Sequence, residues 1–252
     1  MKSFFRLSAL FAAIVSVCAI SLRAARSIPA GTVLPVRLDS TLSSVRSHSG
    51  QLITARVMQT VPLPGSMVPA GAKVIGHIVN VSASGASISV VFDTLETRGE
   101  KIPIATNLRA IASFVAVSNA QIPDTGADRG TPESAWTTTQ VGGDSVYRGG
   151  GHVEGINGIV GEPVAGGVLS HIYANEEGGC RGPINPNDSL QALWVFSSNA
   201  CGAYGFSDLK IRHTGRTAPT GQITLDSASG PVKIERGAGL LLRVNSTGVS
   251  GA

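Results

Sequence analysis

A chain of 252 residues, 42% of them hydrophobic and 14% charged, is long and apolar enough for one large or two small cores, which excludes a chain disordered throughout. Its 31 glycines and 13 prolines, set against so few charges, favour many strands and turns over long helices, whose exposed faces are rich in Glu, Lys and Arg. The formal charge of +4 is 20 Lys and Arg less 16 Asp and Glu; loss of an N-terminal segment with Lys2 and Arg6 leaves +2, and loss of Arg23 as well leaves +1, which removes the main support for nucleic-acid binding.

Residues 1–26 read as a secretory signal. Lys2 and Arg6 make a basic start, Leu7 to Ile20 an apolar stretch, and Val17-Cys18-Ala19 or Leu22-Arg23-Ala24 offers small residues for cleavage. The stretch is shorter than the ~20 residues that cross a bilayer as a helix, which disfavours an uncleaved anchor. Val17 is bulky where lipid attachment at Cys18 needs a small residue.

The next segment, Ile28-Pro-Ala-Gly31-Thr-Val-Leu34-Pro-Val36-Arg-Leu38, has an aliphatic residue, a turn ending in glycine and then apolar residues two apart. That pattern predicts a tight turn feeding a half-buried strand, because Gly supplies positive φ and period two puts the apolar side chains on one face. After a break at Thr41 to Ser44 and His48-Ser-Gly50, Gln51 to Val61 reads as a strand and Pro62-Leu-Pro-Gly65 turns it back. A second copy follows, Val68-Pro-Ala-Gly71-Ala-Lys-Val74-Ile-Gly76-His-Ile78. Lys73 to Val81, a turn at Ser82-Ala-Ser-Gly85, and Ala86 to Phe92 with Ile88, Val90 and Phe92 alternating predict a hairpin. Glu96-Thr-Arg-Gly99 reads as a solvated turn before a strand through Ile102, Ile104 and Thr106.

From Ser113 to about Asp188 the periodicity fades among glycine pairs and triples, which reads as an insertion or loop system. Beyond it, Leu190 to Phe196 is apolar enough for a core strand holding Trp194, Cys201 to Gly205 reads as a turn, and Leu209 to Arg212 alternates. Thr220 to Leu225 and a third copy of the turn and strand, Ile234-Glu-Arg-Gly237-Ala-Gly-Leu240-Leu-Leu242-Arg-Val244, complete the pattern. Copies at both ends make the glycine-rich stretch an insertion into one domain.

Chemistry is sparse. Asp124-Thr-Gly resembles the catalytic loop of aspartic proteases, in which two such carboxylates share a proton, but one copy exists and Pro123 stands where an apolar strand residue belongs. His48, His77, His152, His171 and His213 lack zinc-binding spacing, and Glu176, Glu177 and Asp188 match no calcium loop. No GxSxG, P-loop or strand-borne GxGxxG occurs. With Cys18 removed, Cys180 and Cys201 form one disulfide most simply, the alternative being a metal pair without other ligands at suitable spacing. Trp136 and Tyr147, flanking Thr137 to Asp144, together with Tyr173, are candidates for a contact surface.

The elements Ile28-Pro-Ala-Gly-Thr32, Gly50 before the strand to Val61, Val68-Pro-Ala-Gly71, Ile75-Gly76, Val90-Val-Phe-Asp-Thr-Leu95 and Gly99 are similar in order and spacing to the C-terminal domain of the VirB10/TrbI family of type IV secretion and conjugation machines. The Ile234 to Val244 segment resembles that domain's closing strand. The resemblance implies a β-barrel-like domain in the bacterial envelope that assembles with copies of itself or with partners. Residues 113–188 lack the amphipathic helix pair with which such proteins cross the outer membrane, because Gly and Pro interrupt every window.

The resulting expectation is an all-β fold, a barrel or sandwich of short antiparallel strands with a long glycine-rich insertion. Its parts are a signal peptide (1–26), a first part of the β domain (27–112), the insertion (113–189), a second part (190–246) and a tail (247–252). Its function is expected to be non-enzymatic, with no cofactor, metal or nucleic acid: an exported protein, periplasmic, outer-membrane-associated or secreted, acting through self-association or binding to envelope proteins. The alternatives are a secreted glycan- or peptide-binding module using Trp136, Tyr147 and Tyr173, and an aspartic-type hydrolase through Asp124.

Overall fold

A computed structural model describes residues 27–121, 139–141, 145–147, 153–155, 158–161, 169, 192–197, 200–212 and 221–245. Ten strands share one sheet: β1 (Val33–Leu38), β2 (Leu52–Val57), β3 (Lys73–Val81), β4 (Ser87–Thr97), β5 (Glu100–Pro103), β6 (Thr106–Ala112), β7 (Gly202–Tyr204), β8 (Leu209–Arg212), β9 (Gln222–Ser227) and β10 (Gly239–Val244). Their order is β7-β6-β10-β1-β2-β3-β4-β9-β8, with β5 beside the end of β4. The two outermost strands, β7 and β8, touch each other across the short link 205–208, so the sheet curls into a nearly closed barrel. The all-β expectation holds in its barrel form.

The three repeated segments fold alike. Gly31, Gly71 and Gly237 have φ of 88°, 85° and 91°, a left-handed conformation that costs an L side chain about 1–2 kcal/mol. Each glycine N–H donates to the last carbonyl of the neighbouring strand: Gly31 to Val244, Gly71 to Val57 and Gly237 to Leu38, at 2.8, 2.7 and 3.0 Å. The residue after each glycine accepts from the same strand end, as Thr32 does from Val244, Ala72 from Val57 and Ala238 from Leu38. The first and third repeats therefore clasp each other: each turn satisfies the strand end of the other, and β1 pairs with β10 along its length.

Period two then fills the interior. Leu34, Val36 and Leu38 of β1, Ile53, Ala55 and Val57 of β2, Val74 and Ile78 of β3, Ile88, Val90 and Phe92 of β4 and Leu240, Leu242 and Val244 of β10 join one buried cluster. The β3–β4 register shifts between Ile75 and Gly76. A Cβ on Gly76 would lie 1.9 Å from the Val91 carbonyl oxygen, so only glycine lets the strands approach there.

A second apolar cluster lies on the outside of the barrel, over β1, β6 and β10. There Val33, Ala110, Ala112 and Leu241 pack against a helix, α1 (Phe114–Ala120), and against Leu193, Val195, Phe196, Ala200 and Tyr204. These three strands are covered on both faces, which is why β6 is buried at every residue.

Several local expectations are corrected. Leu190 to Phe196 does not form a core strand: Ala192–Leu193 and Phe196–Ser197 make a tight hairpin, with Trp194 in its turn at φ 57°. Cys201 to Gly205 is not simply a turn, because Gly202–Tyr204 runs parallel to β6 and extends the sheet. Pattern reading missed both because these residues are buried by the outer layer, whose spacing follows contacts distant in sequence. The expected strand through Ile102 and Thr106 is split into β5 and β6, and α1 stands where periodicity is lost. Within the glycine-rich stretch, Thr139–Val141, Ser145–Tyr147, Val153–Gly155 and Gly158–Gly161 form a four-stranded antiparallel meander.

Candidate functional site

The barrel interior is packed. The cavity lined by Leu38, Val90, Phe92, Leu108, Ile223 and Leu240 measures only about 10 Å³ and is lined by apolar side chains. It is too small for an organic ligand, whose pockets run to about 300 Å³ or more. The exposed apolar side chains of the described residues lie on the outside of the barrel.

On the outside, α1 is the most distinctive element. Ser113 caps it, its Oγ accepting from the Ala116 N–H at 3.1 Å, while the Ser113 N–H donates to the Tyr204 carbonyl at 2.9 Å. This fixes the helix to the end of β7. Ala116, Val117 and Ala120 lie on the buried face. The opposite side presents Phe114 and Val115, which are 48% and 60% exposed. The Phe114 ring rests on the turn of the third repeat: a Cβ on Gly237 would meet its Cδ2 at 2.7 Å. Phe114 and Val115 are thus an exposed apolar pair held by a cap, a strand end and a repeat turn.

The hairpin at Trp194 is clamped on the same outer layer. The Gln59 side chain reaches it from the barrel, its Oε1 accepting from the Trp194 N–H at 2.5 Å and its Nε2 donating to the Ala192 carbonyl at 3.1 Å. Trp194, Phe196 and Tyr204 pack edge to face in series, with ring centroids 6.4 and 6.2 Å apart. Trp194 thus contributes to packing, though from a turn. Cys201 is fully buried beside these rings, and its backbone N–H donates to the Tyr204 hydroxyl at 3.2 Å.

Of the binding-surface residues singled out from sequence, Trp136 and Tyr173 lie outside the described residues, as do Cys180, Asp124, Glu176, Glu177, Asp188, His152, His171 and His213. Tyr147 ends a strand of the meander, opposite Thr139. His48 is exposed, and His77 lies on the outer face of β3 with its Nδ1 3.1 Å from an Asp93 carboxylate oxygen. That pair is about half exposed, where an ion pair contributes little. Among the described residues no group of three or more His, Cys, Asp or Glu could hold a metal ion, and no helix is long and apolar enough to cross a membrane.

Sequence reasoning passed over Phe114 and Val115 because they stand where the strand pattern ends. The available signal was the Ser113 cap before a short apolar run. Comparison with protein-family models, curated proteins and solved structures finds no match.

Proposed function

We propose that this chain is an exported, non-enzymatic protein of the cell envelope whose barrel, resembling the VirB10/TrbI C-terminal domain, acts through assembly with copies of itself or binding to other envelope proteins. The carrying observation is the exposed apolar pair Phe114 and Val115, held in place on a barrel whose interior is filled. A filled barrel is a scaffold, and a scaffold acts through its outer surface. The three glycine turns, each bonded to the end of a neighbouring strand, support the reading, since they give the shared turn-and-strand segments one structural task. In this reading residues 1–26 are removed on export, and Cys180 pairs with the buried Cys201 to pin the insertion against the outer layer.

The test is cross-linking of envelope fractions followed by size exclusion with light scattering. The mature chain should run in a complex larger than a monomer. Phe114→Asp with Val115→Asp should release it while far-ultraviolet circular dichroism stays unchanged. A strict monomer with no cross-linked partner would overturn the proposal.

A further inference from the structure

The connection between β2 and β3 is a hairpin with two unlike faces. None of residues 57–72 is charged, and Val61–Leu63 pairs with Ser66–Val68 across the turn Pro64-Gly65, with Gly65 at φ 69°. Val61 and Val68 are buried and Leu63 packs against the interior cluster, so one face of the hairpin closes the end of the barrel. Pro62 and Met67, directly opposite each other in the register, take the other face; both are exposed, Met67 by 56%. Pro62, Pro64 and Pro69 have no N–H, which leaves the exposed face few backbone donors in need of water.

Cations surround the base of this hairpin. The register sets Arg37, Arg56, Lys73, Glu96 and Lys101 side by side on β1 to β5, all outward because their neighbours Val36, Ala55, Val74, Leu95 and Ile102 enter the core. With about 4.8 Å between strands, the row runs about 19 Å around the barrel. Just beyond Glu96 the chain turns back through Arg98 and Gly99, whose φ values of 51° and 77° are those of a two-residue hairpin loop, usually Asn-Gly. An arginine held in that strained conformation points to a use for its side chain at the tip. Around the hairpin, then, stand five cations, Arg37, Arg56, Lys73, Arg98 and Lys101, and three carboxylates: Asp39, 3.4 Å from Arg56, with Glu96 and Glu100. The balance is positive.

We propose that this end of the barrel docks on the surface of a bilayer containing anionic phospholipid, with Met67 and the prolines entering the glycerol and upper acyl region and Arg56, Lys73, Arg98 and Lys101 lying at the phosphates. A bilayer sets an apolar layer beneath a phosphate layer, the same order as hairpin and base here. Long Lys and Arg stems keep the charges at the phosphates while the hairpin goes deeper. An acidic protein would meet Glu96 and Glu100 interleaved with the cations, whereas a diffuse phosphate layer responds to net charge. Chain direction sets this end opposite α1: β2 ends and β3 begins here, while β6, which leads into α1, ends at the other. The proposal therefore does not rest on the assembly reading.

The experiment floats the full chain with vesicles of phosphatidylethanolamine and phosphatidylglycerol in low salt, with phosphatidylcholine vesicles and soluble polyglutamate as comparisons. Binding to the anionic vesicles should be about tenfold tighter than to phosphatidylcholine and should fall at about 0.5 M salt. Met67→Asp should weaken it about tenfold. Arg98→Asn should weaken it about fivefold and leave the Tm unchanged or higher, because Asn adopts the left-handed turn more readily. Any contribution of residues 1–26 is the same in every variant. No binding, equal binding to phosphatidylcholine, or binding that either variant leaves unchanged overturns the proposal. So does capture by polyglutamate without capture by vesicles, which would assign this end to an acidic protein. Should Met67→Asp fail to fold, Arg98→Asn and the comparison of lipids decide.

Discussion

Strands β1, β6 and β10 carry two apolar clusters back to back, and the clusters are built differently. The barrel interior is made of Leu, Ile, Val and Phe from long strands at period two. The outer layer draws on short pieces, and many of its contacts are alanines, Ala110, Ala112, Ala116, Ala120 and Ala200, which let a helix and a hairpin lie close on the sheet. Large alternating side chains specify register, because a slip of one residue would turn a whole strand inside out. Small side chains specify proximity and leave little trace in the sequence. The difference predicts a barrel that holds as a unit and an outer layer that opens before it.

The largest effects come from the aromatic anchor of each cluster. Phe92→Ala in the interior should lower the free energy of unfolding by about 3–5 kcal/mol, measured in urea. Phe196→Ala, equally buried, should instead speed amide exchange in α1 and 202–204 while β2 and β3 keep their protection. Uniform loss of protection in the Phe196 variant would show that the two layers open as one.

Next comes the close approach of β3 and β4. Gly76→Ala forces a Cβ to within 1.9 Å of a backbone oxygen that cannot rotate away, and should cost about 3 kcal/mol in the same urea assay.

The repeat turns give a finer comparison. Gly31 and Gly237 share a backbone conformation, but nothing lies within 4 Å of a Cβ on Gly31, whereas one on Gly237 would strike Phe114. Gly31→Ala should therefore cost about 1–2 kcal/mol, the backbone penalty alone. Gly237→Ala should cost more, and in a Phe114→Ala background the two should become equal. A persistent difference would mean that the Phe114 ring is not what separates them.

The smallest effect is electrostatic. Hydrogen bonds from the hydroxyls of Ser229 and Ser227, and from the Ser229 N–H, hold the Asp208 carboxyl below its ordinary pKa. A depressed folded-state pKa stabilises the fold above the unfolded value, near 3.8, and that contribution is lost as pH falls through the folded value. The stability difference between the unsubstituted chain and Asp208→Asn, followed by thermal unfolding, should shrink below about pH 4. A difference that stays constant with pH would show that ionisation of the Asp208 carboxyl does not stabilise the fold.

The hairpin of Lys73–Val81 with Ser87–Thr97 was readable because Ile88, Val90 and Phe92 alternate beside a turn ending at Gly85. The positive φ at Gly31, Gly71 and Gly237 was readable for a similar reason: a turn that needs glycine repeats its residues wherever it recurs. The exposed apolar pair was less legible. Phe114 and Val115 look like continuing core residues until Ser113 caps a helix that turns them outward.

By itself, then, the sequence determined the β class and the turn-and-strand segments, because period-two alternation and glycine turns are local physics, decided within a few residues. Only the tertiary structure decided that the first and third repeats clasp each other, that β7 joins the sheet in parallel, and that Asn107 and Arg243 stand side by side 136 positions apart. Those outcomes depend on which strands meet. Pairing energy is shared between segments distant along the chain, so neither segment carries it alone.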